Sequence, residues 1–172
     1  SMNWGLDSEA APPEGQPTRF AMLKKELEAA IERLPEGGKT ILITFSTAAN
    51  LFTPQPMTVN AQTKKKLLDY VKTELQPNGG TNIYGALKAA FDAAGLGATD
   101  KFYRPAVDTI FFLTDGTPSP DTEITDPERL LAYVRERNKL SKITVHVVCL
   151  GEADANFLRK LAAQNGGEFT KP

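Results

Sequence analysis

The chain is poor in the residues that most often carry chemistry: 172 positions hold one cysteine, one histidine and one tryptophan. A lone thiol cannot form an intrachain disulfide. Cys149 lies in the apolar run ITVHVVCL (143–150), so a buried, inert thiol is expected, without the partners that a thiolate nucleophile or a zinc site requires. His146 sits in the same run and reads as a strand histidine facing a helix or solvent, not as a base or a ligand. Charge of one sign is also lacking. With 20 basic and 21 acidic residues the net charge is −1, and nothing argues for nucleic acid or an anionic membrane as partner. The only basic run, Lys64-Lys65-Lys66, reads as a solvated helix face. No stretch approaches the roughly 18 consecutive apolar residues that a membrane span needs. No signal-peptide pattern is visible, although an excised domain or a mature fragment would look the same. Nucleotide-binding and hydrolase motifs of the forms G-x-x-x-x-G-K-[ST], G-x-G-x-x-G and G-x-S-x-G are missing too.

What is present is an alternating pattern. After an irregular, Pro- and Gly-rich stretch at 3–17, Thr18 can cap a helix carrying Phe20, Leu23, Leu27, Ile31 and Leu34 at helical spacing. Lys39–Ser46 reads as a strand, and 50–59, interrupted by Pro54 and Pro56, as an edge strand at most. Asn60 can cap a helix to about Leu75, and a further helix is expected over Asn82–Ala94. Val107–Thr114 is the clearest buried strand. Asp126-Pro127 opens a helix to about Leu140, Ile143–Leu150 is another strand, and Asp154 caps a last helix closed by Asn165-Gly166-Gly167, with a short final strand after it. Continuous apolar strands alternating with helices predict an α/β fold. The expected form is Rossmann-like and doubly wound, a mostly parallel sheet with helices on both faces and one antiparallel edge strand, in a single domain over 1–172.

Ligands of such sheets sit beyond the carboxyl ends of the strands. Asp115 leaves the run Ile110–Leu113 at that edge, and Thr81 ends a Gly-Gly turn before a helix. One carboxylate with hydroxyls makes an open, weakly charged site for a hard cation such as Mg²⁺, which keeps several waters. Each residue has a plainer reading beside this one. Asp115 also suits the turn D-G-T-P, and Thr81 also suits a helix cap.

The motifs GGTNIYGAL (79–87) and FFLTDG (111–116), with Ser1-Met2 at the start, resemble the three loops of the metal-ion-dependent adhesion site in the von Willebrand factor A family. There the first loop reads D-x-S-G-S, usually followed by Met, the second supplies a Thr and the third an Asp. FLRKLAAQNGGEF (157–169) resembles the family's last helix and strand, so the likeness covers essentially the whole chain. It implies metal-site roles for Ser1, Thr81 and Asp115, with Mg²⁺ (or Mn²⁺ or Ca²⁺) as cofactor. It also implies a departure. The family's central first strand and its Asp-x-Ser would lie before Ser1, so either the sequence is a piece truncated there or another segment fills the place; without that strand its flanking strands would border an apolar slot without pairing on that side.

The function expected from the resemblance is metal-dependent protein–protein interaction of the adhesion type, without enzymatic activity. The partner would present an Asp or Glu to the metal, and Trp4, Tyr84, Ser119 and Asp121 would give specificity. The domain is expected to belong to a larger chain that is not inserted in a membrane through this segment. An extracellular, surface or periplasmic setting is favoured by analogy with bacterial members. The alternatives are an α/β phosphoryl-transfer or hydrolase enzyme using Asp115, and a structural domain without metal binding.

Overall fold

A computed structural model describes residues 2–3, 10–77, 79–95, 107–120, 122–151 and 153–172. In chain order the elements are α1 (Arg19–Arg33), β1 (Lys39–Thr40), β2 (Ile43–Phe45), β3 (Ala49–Leu51), β4 (Met57–Thr58), α2 (Ala61–Thr73), α3 (Ile83–Ala94), β5 (Thr109–Thr114), α4 (Pro127–Asn138), β6 (Thr144–Cys149), α5 (Ala155–Gln164) and β7 (Phe169–Thr170). Four helices start on the caps that the sequence suggested. The side chains of Thr18, Asn60, Asp126 and Asp154 accept from the N–H groups of Ala21, Thr63, Arg129 and Phe157 at 2.8–3.1 Å. Each bond satisfies a donor that the first helical turn leaves without an intrahelical partner.

β5, β6 and β7 form a parallel sheet in that order, with Thr109 opposite Thr144 and Thr114 opposite Cys149. Parallel neighbours need crossovers, and α4 and α5 supply them. Phe112, Val145, Val147 and Cys149 face a buried cluster completed by Leu87 and Phe91 of α3, Leu130 and Val134 of α4, and Leu158 and Leu161 of α5. Each large apolar side chain removed from water contributes about 1.5–3 kcal/mol, so this layer is the main source of stability. His146 lies on β6, where its Nδ1 accepts from the Glu168 N–H at 3.2 Å and its ring stacks on Phe111 at 5.1 Å. Cys149 is fully buried. The lysine run is a solvated face, with Lys65 against Asp69 at 2.6 Å.

The first half of the chain is built differently. The run expected as one strand over 39–46 is interrupted at Ile41-Leu42, and its halves take separate antiparallel partners: β1 pairs with β4, and β2 with β3. Pro54 and Pro56 fall between β3 and β4, outside any ladder, as the missing proline N–H demands. α1 and α2 pack on each other through Ile31, Leu67, Val71 and Leu75, with Leu23 and Leu27 beside them.

Among the described residues no strand pairs with the remaining edge of β2 or of β5. Between those edges lies a cavity of about 1440 Å³, lined by Leu42 and Ile43 on one side, Ile110 and Phe112 on the other, and Phe20 and Leu27 of α1. Phe45 and Phe112 stack across its end at 5.4 Å. The sequence led us to expect an apolar slot in this place. Met2, Thr81 and Asp115 stand on its lining, so the slot and the candidate site share a rim.

Candidate functional site

Asp115 is the first residue after β5, and it is 4% exposed. The end of the strand is fixed from both directions. The Thr114 carbonyl accepts from the Leu150 N–H at 2.9 Å, and the Thr114 hydroxyl accepts from the Gly116 N–H at 3.3 Å. The carboxylate is thereby held at the carboxyl edge of the sheet, where α/β folds place ligands.

The Thr81 loop is joined to the loop after β5 by two reciprocal bonds. The Thr81 N–H donates to Ser119 Oγ at 2.7 Å, and the Ser119 N–H donates to the Thr81 carbonyl at 3.0 Å. The Thr81 hydroxyl is left out of that exchange. It lies so close to the residue after Asp115 that a Cβ on Gly116 would stand 2.9 Å from its oxygen, which is why glycine fits there. Nor is Thr81 the helix cap. Asn82 takes that place, its Oδ1 accepting from the Gly85 N–H at 2.7 Å. Thr81 and Asp115, 34 positions apart, thus meet at one rim. Ser119→Ala removes the acceptor of a half-buried N–H and should cost about 1–2 kcal/mol in chemical denaturation. The Thr81 amide should also exchange faster.

The end of β2 stitches the same loop from the other side. Asn82 donates from its N–H to the Ser46 carbonyl (2.8 Å) and from Nδ2 to the Thr47 carbonyl (3.0 Å), and the Gly80 N–H reaches Thr47 Oγ1 at 3.2 Å. Thr47 was not singled out from the sequence, where nothing distinguishes it from a surface threonine.

Arg19 is the other residue missed. It is the first residue of α1, is only 2% exposed, and brings Nη1 to 4.0 Å from Asp115 Oδ2. That is an ion pair at its outer limit and too long for a hydrogen bond. Oδ2 is buried and accepts no hydrogen bond. The sequence did carry a signal, since Arg19 stands on the same i+4 stripe as Leu23, Leu27 and Ile31. A cation in the first turn also opposes the helix dipole, so it calls for another reason to be there.

Of the remaining expected residues, Ser119 is at the rim. Tyr84, on α3, is half-buried and packs edge-on against Tyr133 of α4 at 4.9 Å, so its ring serves the helix–helix contact. Ser1, Trp4 and Asp121 lie outside the described residues. Among the described residues no cluster of three or more His, Cys, Asp or Glu side chains is present. An ion at this rim would depend on hydroxyls and water around one carboxylate.

A parallel α/β sheet with Thr and Asp loops meeting beyond its strand ends defines a class, and the comparison of sequences agrees: residues 10–170 match the family model for the von Willebrand factor type A domain. The chain belongs to that family, whose members are generally interaction modules. It is 38% identical over 150 residues to human von Willebrand factor A domain-containing protein 3A, covering 85% of this chain and 11% of that protein. Among solved structures it is similar to a von Willebrand factor type A protein from Catenulispora acidiphila (TM-score 0.62, 20% identity, 90% of this chain and 34% of that one). It is also similar to proximal thread matrix protein 1 of the mussel byssus, a structure with a zinc-occupied MIDAS motif (TM-score 0.61, 17% identity, 91% and 37%). The chain therefore spans about a tenth of the human relative and about a third of these structures.

Proposed function

We propose that the rim formed by Thr81 and Asp115 binds a divalent cation, Mg²⁺ foremost with Mn²⁺ or Ca²⁺ as substitutes, and that the domain uses it to recognise an acidic residue of a protein partner. The observation that carries this reading is the orphaned Asp115 Oδ2, a buried carboxylate oxygen without a hydrogen bond, beside a threonine hydroxyl outside the backbone exchange. A buried polar atom of that kind calls for a partner. Oxygen donors with one carboxylate fit a hard cation that retains water. The bound ion would supply electrophilic attraction for a carboxylate arriving from outside.

The chain's own residues prepare that event. The Thr81–Ser119 clamp fixes the spacing of the two loops, and the Asn82 bonds to Ser46 and Thr47 anchor them to β2. Ser1 would add a hydroxyl next to Met2, whose carbonyl accepts from the Phe20 N–H at 2.8 Å close to the rim. Trp4, Ser119 and Asp121, with Tyr84 on α3, would meet the partner.

Thermal unfolding during Mg²⁺ or Mn²⁺ titration tests the metal. At an ion concentration a hundred times Kd, ligation adds about 2.7 kcal/mol. For a domain of this size that is a rise of roughly 5–10 °C in Tm. Asp115→Ala should abolish the rise and Thr81→Ala should shrink it. No rise in the parent, or one that survives Asp115→Ala, would refute the proposal.

A further inference from the structure

We propose that Arg19 is a tethered cation of this rim: its guanidinium neutralises Asp115 while no ion is bound and thereby lowers the site's affinity for divalent metal. The inference rests on the metal reading above and names its regulator.

Three observations carry it. Arg19 is almost wholly buried, although a first-turn arginine on a helix ordinarily reaches solvent. Its Nη1 stands 4.0 Å from Asp115 Oδ2, the same oxygen that accepts no hydrogen bond. The guanidinium is seated in a made place, because it lies where a Cβ on Gly151 would overlap Nε and Cζ. Gly151 holds φ at +76°, a conformation suited to glycine, and leaves room for the arginine. The carboxylate thus has a positive neighbour close enough to offset its charge and too far to satisfy its lone pairs. That arrangement leaves Oδ2 open to a closer cation. An incoming ion must either displace the guanidinium or accept like charge at short range, and both weaken its binding.

The test measures Mn²⁺ binding by calorimetry on the parent chain and on Arg19→Met, Arg19→Gln and Arg19→Lys, with an Asp115→Ala variant of each as control. Removing the charge should tighten Kd at least tenfold in Arg19→Met and Arg19→Gln, equivalent to about 1.4 kcal/mol. Arg19→Lys, which keeps the charge and loses the planar fork, should bind more nearly as the parent does. In every background Asp115→Ala should remove binding. A packing role alone would make the Met and Lys variants alike, and that result overturns the inference while leaving the metal site standing. Equal or weaker binding in Met and Gln, with the parent still binding, does the same. If parent and variants all unfold cooperatively and none binds, the metal reading fails and takes the inference with it.

Discussion

Asn138→Ala is expected to cost about 3–5 kcal/mol of unfolding free energy, far more than a helix C-terminal residue normally contributes. Asn138 is buried at the end of α4, and its amide is fully engaged. Oδ1 accepts from the Ile143 N–H at 2.7 Å, while Nδ2 donates to the Ile143 carbonyl at 2.6 Å and to Asn165 Oδ1 at 2.8 Å. Asn165 in turn donates to the Leu161 carbonyl at 2.7 Å. One side chain therefore ties the end of α4 to the entry of β6 and to the end of α5. Truncation leaves both backbone groups of Ile143 buried without their partners, and each orphan carries a desolvation penalty of about 1–3 kcal/mol. Asn138→Asp should be no milder. It keeps an acceptor for the Ile143 N–H but sets a carboxylate oxygen against two other oxygens. Urea denaturation of the three proteins decides the matter, and a loss below about 1 kcal/mol for Asn138→Ala would rule out a closed network.

That network shows where sequence reading runs out. The helices were legible because apolar spacing and capping side chains are local signals, and Thr18, Asn60, Asp126 and Asp154 all cap where they should. β5 and β6 were legible as continuous apolar runs of the kind a sheet covered on both faces produces. The break at Ile41-Leu42 was not, because it depends on which partners the two halves find, and those are contributed by segments up to 19 positions away. At the rim, Thr81 and Asp115 were found through the company they keep in GGTNIYGAL and FFLTDG. Their meeting is a fact of topology: the loop after α2 and the loop after β5 end at the same edge. Arg19, Asn138 and Asn165 share a different invisibility. Each is a polar side chain with a partner in another part of the fold, so its burial could not be deduced from its neighbours in the chain. Only the helical stripe Arg19–Leu23–Leu27–Ile31 hinted at any of them.

Gly151→Ala should destabilise the fold by about 2–5 kcal/mol, and the part of that loss due to overlap should vanish when Arg19 is also shortened. Two separate penalties add at this position. An alanine held at φ +76° pays roughly 1–2 kcal/mol for the left-handed conformation, whatever surrounds it. Its methyl would also overlap Nε and Cζ of Arg19, a side chain only 2% exposed and so unable to swing into solvent without disturbing α1 and the rim. Overpacking of that kind costs about 1–3 kcal/mol. In an Arg19→Ala background the overlap is gone and the conformational part alone remains. The double-mutant cycle should therefore give a coupling of about 1–3 kcal/mol, measured by denaturation in EDTA so that no ion contributes. Additivity within about 0.5 kcal/mol would mean that the guanidinium does not rest on Gly151 in solution. It could not then stand beside Asp115, and the carboxylate would lack the internal cation that the rim geometry gives it.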